Sequence, residues 1–174
     1  MLVGAVTIGI SILFFVQAVQ LGRIFGELGA GSPARISQVV TVASLGVIVG
    51  GITYRKASSL PIGYLFALIF LTLGIGYAGL AWAPDYKVGL PFGFIAQIGN
   101  GLTVPTLIAW ALSKYDFEHR GRGMGFWASC FFGGSFISPL VVTLFSKFTG
   151  TFLAAVGALG AVALALAAIT LALN

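Results

Sequence analysis

"GFIAQIGNGLTVPTLIAWALSKYDFEHRGRGMGFW", residues 93 to 127, decides the fold. Its first twenty residues, Gly93 to Leu112, carry no charge and match the length of helix that crosses the hydrocarbon core of a bilayer. Lys114, Asp116, Glu118, Arg120 and Arg122 then crowd into one short passage, and an apolar run resumes at Met124. The pattern is an uncharged block, a charged turn, and a second uncharged block.

Reading outward, the same alternation covers the whole chain. The sequence is 59% hydrophobic and 7% charged, with a mean hydropathy of +1.07. A soluble domain carries about a quarter charged residues, so water cannot solvate this surface. Six apolar blocks are expected to span the membrane as helices, at about residues 2–21, 36–52, 60–82, 88–112, 124–145 and 151–173. Every charged residue falls in the connectors between them, which are short and rich in glycine, proline or serine. The expected fold is therefore all-α: one polytopic bundle over residues 1–174, with sequential helices antiparallel. Barrel strands would be about ten residues long and would alternate polar with apolar, and these blocks do neither. The first block has no charge before Arg23 and is too long for a secretory signal, so it is expected to be a retained span.

The charges also exclude function classes. The net charge of +5 comes from basic residues dispersed in ones and twos among the connectors between apolar blocks, which points to membrane topology and away from nucleic acid. With both termini in the cytoplasm, the inner loops hold Arg55, Lys56, Lys114, Arg120 and Arg122, and the outer loops hold Arg23, Arg35, Lys87 and Lys147. That excess of five over four, with the inner residues clustered, sets the expected orientation in a cell (inner) membrane. The sole cysteine, Cys130, lies in an apolar run and has no intrachain partner for a disulfide. There is no phosphate loop, no paired metal ligands and no nucleophile beside the single histidine, His119, so neither enzyme activity nor a metal or other cofactor is expected. "GRGMG" (121–125) lacks the preceding strand that a dinucleotide turn requires.

Inside the spans the functional polar groups are amides and hydroxyls. Gln17 and Gln20 on the first helix, and Gln97 and Asn100 on the fourth, are each three residues apart and so share a helical face. An unpartnered amide in hydrocarbon costs several kcal/mol, so each pair must meet a neighbouring helix or a wet cavity, and both readings stay open. Thr103 and Thr106 continue the fourth helix's stripe, and Ser37, Thr41 and Ser44 form one on the second that suits packing. The pairs Gly46/Gly50, Gly89/Gly93 and Gly121/Gly125 have the spacing that lets helix backbones approach closely. Pro105 and Pro139 remove helical hydrogen bonds, and "GNGLTVP" (99–105) is where irregular geometry is expected.

Three stretches carry a family resemblance: "SPARISQVVTVASLGVIVGGITYRK" (32–56), the opening stretch (93–127) and "FFGGSFISPLVV" (131–142). Together the chain resembles the C-terminal six-helix half of a major facilitator superfamily transporter over nearly its whole length. The resemblance implies two inverted three-helix repeats, with the first helix of each lining a substrate path, so that Gln17, Gln20, Gln97 and Asn100 would be substrate-cavity residues. It also identifies the "R-G-x-x-x-G" connection as a cytoplasmic latch of Arg120, Gly121, Arg122 and Gly125, where the arginines would meet Asp116, Glu118, helix ends or lipid phosphates. Simple positive-inside anchoring is the alternative and accounts for Arg122 equally well, whereas for Arg120, next to Gly121, the latch is the favoured reading. The family's acidic residue in the turn between the second and third helices is absent here, where Gly50 is followed by Tyr54, Arg55 and Lys56.

A transporter of this family has twelve helices, and six supply one wall of the cavity. The chain is therefore expected to be half, or a subunit, of a secondary transporter that moves a small organic solute by alternating access. It would sit in the lipid bilayer and complete its path with a second six-helix half, as a homodimer or with another chain. The alternative is a non-transporting transmembrane bundle: a truncated fragment, an assembly partner or an engineered scaffold. A six-helix water channel would show paired asparagine-proline-alanine turns, and these are absent.

Overall fold

Short polar caps set where the helices begin. Ser32 accepts a hydrogen bond from the Arg35 amide at 3.3 Å, with Pro33 pre-set for the first turn. Asp85 accepts from the Lys87 and Val88 amides at 2.8 and 2.9 Å, and Thr151 accepts from the Ala154 amide at 3.1 Å. Gly150, with φ of 84°, ends one helix in the left-handed conformation and returns its N–H to the Ser146 carbonyl.

The computed structural model describes residues 2–173. Among them lie six α-helices: α1 (Leu2–Phe25), α2 (Pro33–Ala57), α3 (Ile62–Trp82), α4 (Tyr86–Leu112), α5 (Arg120–Thr149) and α6 (Phe152–Ala172). A π-helical turn, Gly26–Ala30, follows α1, and a 3-10 turn, Phe117–His119, precedes α5. No strand occurs among the described residues, and all six helices are long and apolar enough to cross a membrane. The fold is all-α, and the chain is a polytopic membrane protein.

Several helices outrun the apolar blocks. α2 begins three residues before the expected 36 and runs five past 52, and α5 spans 120–149 where 124–145 is expected. Capping explains the excess, because the helical backbone continues past the hydrocarbon for as long as a cap or a basic last turn supports it. The irregularity expected at residues 99–105 is absent: α4 runs unbroken through Pro91 and Pro105. The irregular geometry lies instead at Gly29 and Gly31, whose φ values of 81° and 77° release the chain from α1 into α2.

Consecutive helices reverse direction, and the main packing pairs are α1 with α5, α2 with α4, α3 with α4 and α3 with α6. α4 is central and the most enclosed, with 56% of its span buried, against 22% for α2 and for α5. The α2–α4 seam is set by glycine. A Cβ on Gly46 would lie 2.3 Å from the Phe94 carbonyl oxygen, one on Gly50 would lie 2.2 Å from that of Ile98, and one on Gly101 would lie 2.2 Å from that of Val47. The two backbones touch, as the 46/50 spacing predicts. The 89/93 pair differs, because its Cβ positions would meet the Leu28 side chain and the Phe25 ring, not backbone.

Large apolar side chains cover much of the outside: Ile48 and Ile52 on α2, Phe132, Phe136 and Leu140 on α5, and Ile169 on α6 are all exposed. In water such a surface would aggregate, whereas in lipid it is solvated.

Candidate functional site

The buried amides lie where α1, α2 and α4 converge. Gln17, Gln20, Gln97 and Asn100 are 0%, 9%, 6% and 5% exposed, so none is simply open to a broad cavity. Gln17 Nε2 donates to the Gly93 carbonyl at 2.9 Å, tying α1 to α4. Gln97 Nε2 donates to Ser44 Oγ at 3.2 Å, tying α4 to α2, and Asn100 Nδ2 donates to Gln97 Oε1 at 2.9 Å. The Gly93 carbonyl requires the NH2 end of Gln17, whereas the Ser44 hydroxyl can donate or accept, so Gln97 and Asn100 keep their mutual bond in either orientation of the pair.

The same bonds leave specific atoms over. Gln17 Oε1, Asn100 Oδ1 and Gln20 Nε2 are buried and find no partner among the described residues. Two adjoining hollows face this cluster. One, of about 290 Å³, is bounded by Gln17, Leu21, Ile36, Ser37, Ser44 and Gln97 among others, and the other, of about 310 Å³, by Phe14, Val47, Gln97, Asn100, Gly101 and Val104. They share Ala18 and Gln97, and the exposed Ala18, Ser37 and Val47 mark where they reach the surface between α1 and α2. Gln20 lines neither. Three of the four expected cavity residues are thus brought together with the hollows. The two readings left open for them are both present, since the same side chains bond between helices and border a cavity.

Pro105 adds a further acceptor. It has no N–H, so the Gly101 carbonyl has no donor four residues on, and Gly101 borders the second hollow. Thr103 Oγ1 is spent on the Gly99 carbonyl at 2.8 Å, while Thr106 is buried with its hydroxyl unpartnered among the described residues. On α2, Thr41 bonds back to the Ser37 carbonyl at 2.8 Å, the packing role expected of it, but Ser44 serves as an acceptor across the seam.

The latch residues lie apart, at the opposite end of α4 and at the start of α5. Arg120 and Arg122 are exposed, and among the described residues neither pairs with Asp116 or Glu118; the ion pair found there is Arg23–Glu27, 3.1 Å, between α1 and its π-helical turn. The Arg120 guanidinium lies 5.6 Å from the Phe117 ring centre. A Cβ on Gly121 or Gly125 would meet open space, so neither brings helices close. Close approach in this turn belongs to Gly123, whose Cβ would fall 2.6 Å from the Tyr115 ring.

Tyr77 is the residue that sequence reasoning missed. It is fully buried in the C-terminal half of α3 and donates its hydroxyl to the Leu13 carbonyl of α1. The signal was available, since a tyrosine amid an apolar span must find an acceptor within the bundle. A larger cavity of about 570 Å³ lies between α1, α3, α5, α6 and the end of α4, lined by Ile10, Leu13, Phe66, Phe70, Trp110 and Leu159 among others, with walls almost wholly apolar. No metal-binding group of histidine, cysteine or carboxylate side chains occurs among the described residues. No protein-family model matches this chain, and no curated protein matches it significantly.

Proposed function

We propose that the chain is one half of a secondary transporter, moving a small organic solute by alternating access against a second six-helix half. The observation that carries the reading is the pairing of helices. Exchanging the first three helices with the last three turns the parallel pair α1–α5 into the parallel pair α4–α2 and returns α3–α6 to itself. That is the relation inverted three-helix repeats require, and it supports reading α1 and α4 as equivalent. Those two helices carry the buried amides. The exchange is incomplete, because α3 packs closely on α4 while α1 and α6 barely touch and flank the apolar cavity.

α2 and α5 are the equivalent pair with the least burial, and their outward apolar faces are the surfaces a second half would cover. The partner is a second copy or another six-helix chain. Both termini lie in the cytoplasm and the bundle sits in the cell (inner) membrane, as the clustered basic residues of the terminal-side loops favour. In this setting Arg120 and Arg122 reach lipid phosphates or the partner, which suits their exposure and their lack of acidic partners among the described residues.

The engagement of Gln17 and Gln97 in interhelical bonds favours a second reading, a bundle held together by its amides with no transport. Cross-linking separates the two. Cysteines replacing Ile48 on α2 and Phe136 on α5, in a Cys130→Ala background, are expected to cross-link between bundles in native membranes, while a cysteine replacing Leu71 on α3 does not. A monomeric chain in which all three positions behave alike contradicts the half-transporter.

A further inference from the structure

The apolar cavity of about 570 Å³ lies away from the amides and differs from their surroundings in chemistry. Apart from the Trp110 indole, the polar side chain on its wall is Thr170, whose hydroxyl donates to the Leu166 carbonyl at 2.6 Å. The cavity is elongated: on α6 its wall runs from Leu159 to Thr170, about 16 Å at the rise of an α-helix. Gly9 of α1 and Val162 of α6 line it and are exposed, so it opens sideways between those two helices. A Cβ on Gly9 would meet nothing within 4 Å, whereas Cβ atoms on Gly76 and Gly79 would fall 2.4 Å from the Ala96 side chain and 2.0 Å from the Phe92 ring. The α3–α4 seam is shut, and the α1–α6 seam is a slot.

Water gains nothing in such a slot, because apolar walls offer it no hydrogen-bond partners. Left empty, the same walls lose their dispersion contacts. The phase at the open side is hydrocarbon, since the slot is continuous with the exposed apolar surface of membrane-spanning helices. A cavity of roughly 150 Å³ takes benzene, so about 570 Å³ takes on the order of twenty carbons. The length of the slot matches half of a hydrocarbon core about 30 Å thick, the depth of one leaflet. A single acyl chain meets both measures. The slot also has a defined end: Val6 and Phe66 lie near the starts of α1 and α3, and Trp110 and Thr170 near the ends of α4 and α6, on the face that carries the chain termini. That face bears Arg55, Lys56, Lys114, Arg120 and Arg122 against Asp116 and Glu118, and none of these cations is ion-paired among the described residues. Lys114 is exposed four residues beyond Trp110. The surplus of positive charge complements an anionic headgroup.

We propose that the slot between α1 and α6 is a lipid site, holding one acyl chain of an anionic phospholipid from the leaflet on the side of the termini. The Phe66, Phe70 and Trp110 rings pack on the chain, and the cations of that face attract its phosphate headgroup. The site uses none of the buried amides, so it stands whether or not the bundle moves a solute.

Trp110 supplies the test, because it lines the slot and is buried. In a Trp82→Phe, Trp127→Phe background, the full chain is reconstituted into phosphatidylcholine vesicles. These contain increasing fractions of phosphatidylglycerol or of phosphatidylcholine brominated along the acyl chains, and quenching of Trp110 fluorescence is followed. Half-maximal quenching is expected at a fraction of the brominated phosphatidylglycerol at least about fivefold lower than of the brominated phosphatidylcholine. Gly9→Phe and Val162→Phe fill the slot from opposite walls and are each expected to abolish that preference. Gly51→Phe, which enters open space on α2 away from the slot, is expected to leave it intact. Equal quenching by the two lipids, no quenching by either, a preference that survives both slot-filling variants, or one lost equally in Gly51→Phe overturns the proposal.

Discussion

Gln17 of α1 donates its side-chain amide to the carbonyl of Gly93 in α4 at 2.9 Å, across 76 residues of sequence. Gly93 makes the contact available, because a Cβ there would fall 2.9 Å from the buried Phe25 ring, which would have to shift. The bond thus joins the two helices on which the candidate site depends. We predict that Gln17→Leu lowers stability by about 1 kcal/mol, the scale of interhelical hydrogen bonds in membranes, in thermal unfolding in detergent. No change would mean the bond is not made in the folded chain.

The glycine seam makes a sharper prediction. Gly50→Ala drives a methyl group to 2.2 Å from the Ile98 carbonyl oxygen, so α2 must move off α4, at a cost of roughly 1–3 kcal/mol. Gly51, the next residue, faces open space, and Gly51→Ala is expected to be neutral or slightly stabilising. Equal effects of the two substitutions on the unfolding temperature would refute the α2–α4 packing.

How far the sequence could be read depended on what each feature answers to. The six spans were legible because the bilayer demands an unbroken apolar run, and residues 93–112 show it on sight. Helix ends were less so, since Ser32, Asp85 and Thr151 act through local caps that carry helix beyond the hydrocarbon. The shared face of Gln97 and Asn100 followed from helical period, but the Ser44 acceptor did not, because it depends on the register in which Gly46 and Gly50 seat α2 on α4. Spacing alone promoted Gly121 and Gly125, whereas contact belongs to Gly123 against Tyr115. A three-residue gap says which residues share a face; it does not say what that face meets.

Tyr77 contributes two separable things, a ring in the core and a hydroxyl on the Leu13 carbonyl. Tyr77→Phe keeps the ring and is expected to cost about 1 kcal/mol. Tyr77→Ala leaves a cavity and is expected to cost about 3–5 kcal/mol. Unfolding of both variants in the same detergent checks the ratio, and a Phe variant as damaged as the Ala variant would show that the hydroxyl dominates.

At the other end of α1, the Arg23 guanidinium lies 3.9 Å from the centre of the Phe152 ring and 3.1 Å from Glu27. The ion pair is partly exposed, so Glu27→Gln is expected to change stability by less than about 0.5 kcal/mol. Arg23→Gln also removes the cation over the Phe152 ring, which joins α1 to α6, and is expected to cost about 0.5–1 kcal/mol. A larger loss from the Glu27 change than from the Arg23 change would contradict this division.

The most direct test of a polar cleft set in an otherwise lipid-facing bundle is the reactivity of single cysteines in native membranes, in a Cys130→Ala background. Ala18 borders both hollows and is exposed, while Ile75 on α3 and Val162 on α6 are exposed on apolar helix surface. A membrane-impermeant maleimide is expected to modify Ala18→Cys and to leave Ile75→Cys and Val162→Cys unreacted. Labelling of all three alike, or of Ile75→Cys and Val162→Cys alone, would show that water does not reach the groove between α1, α2 and α4.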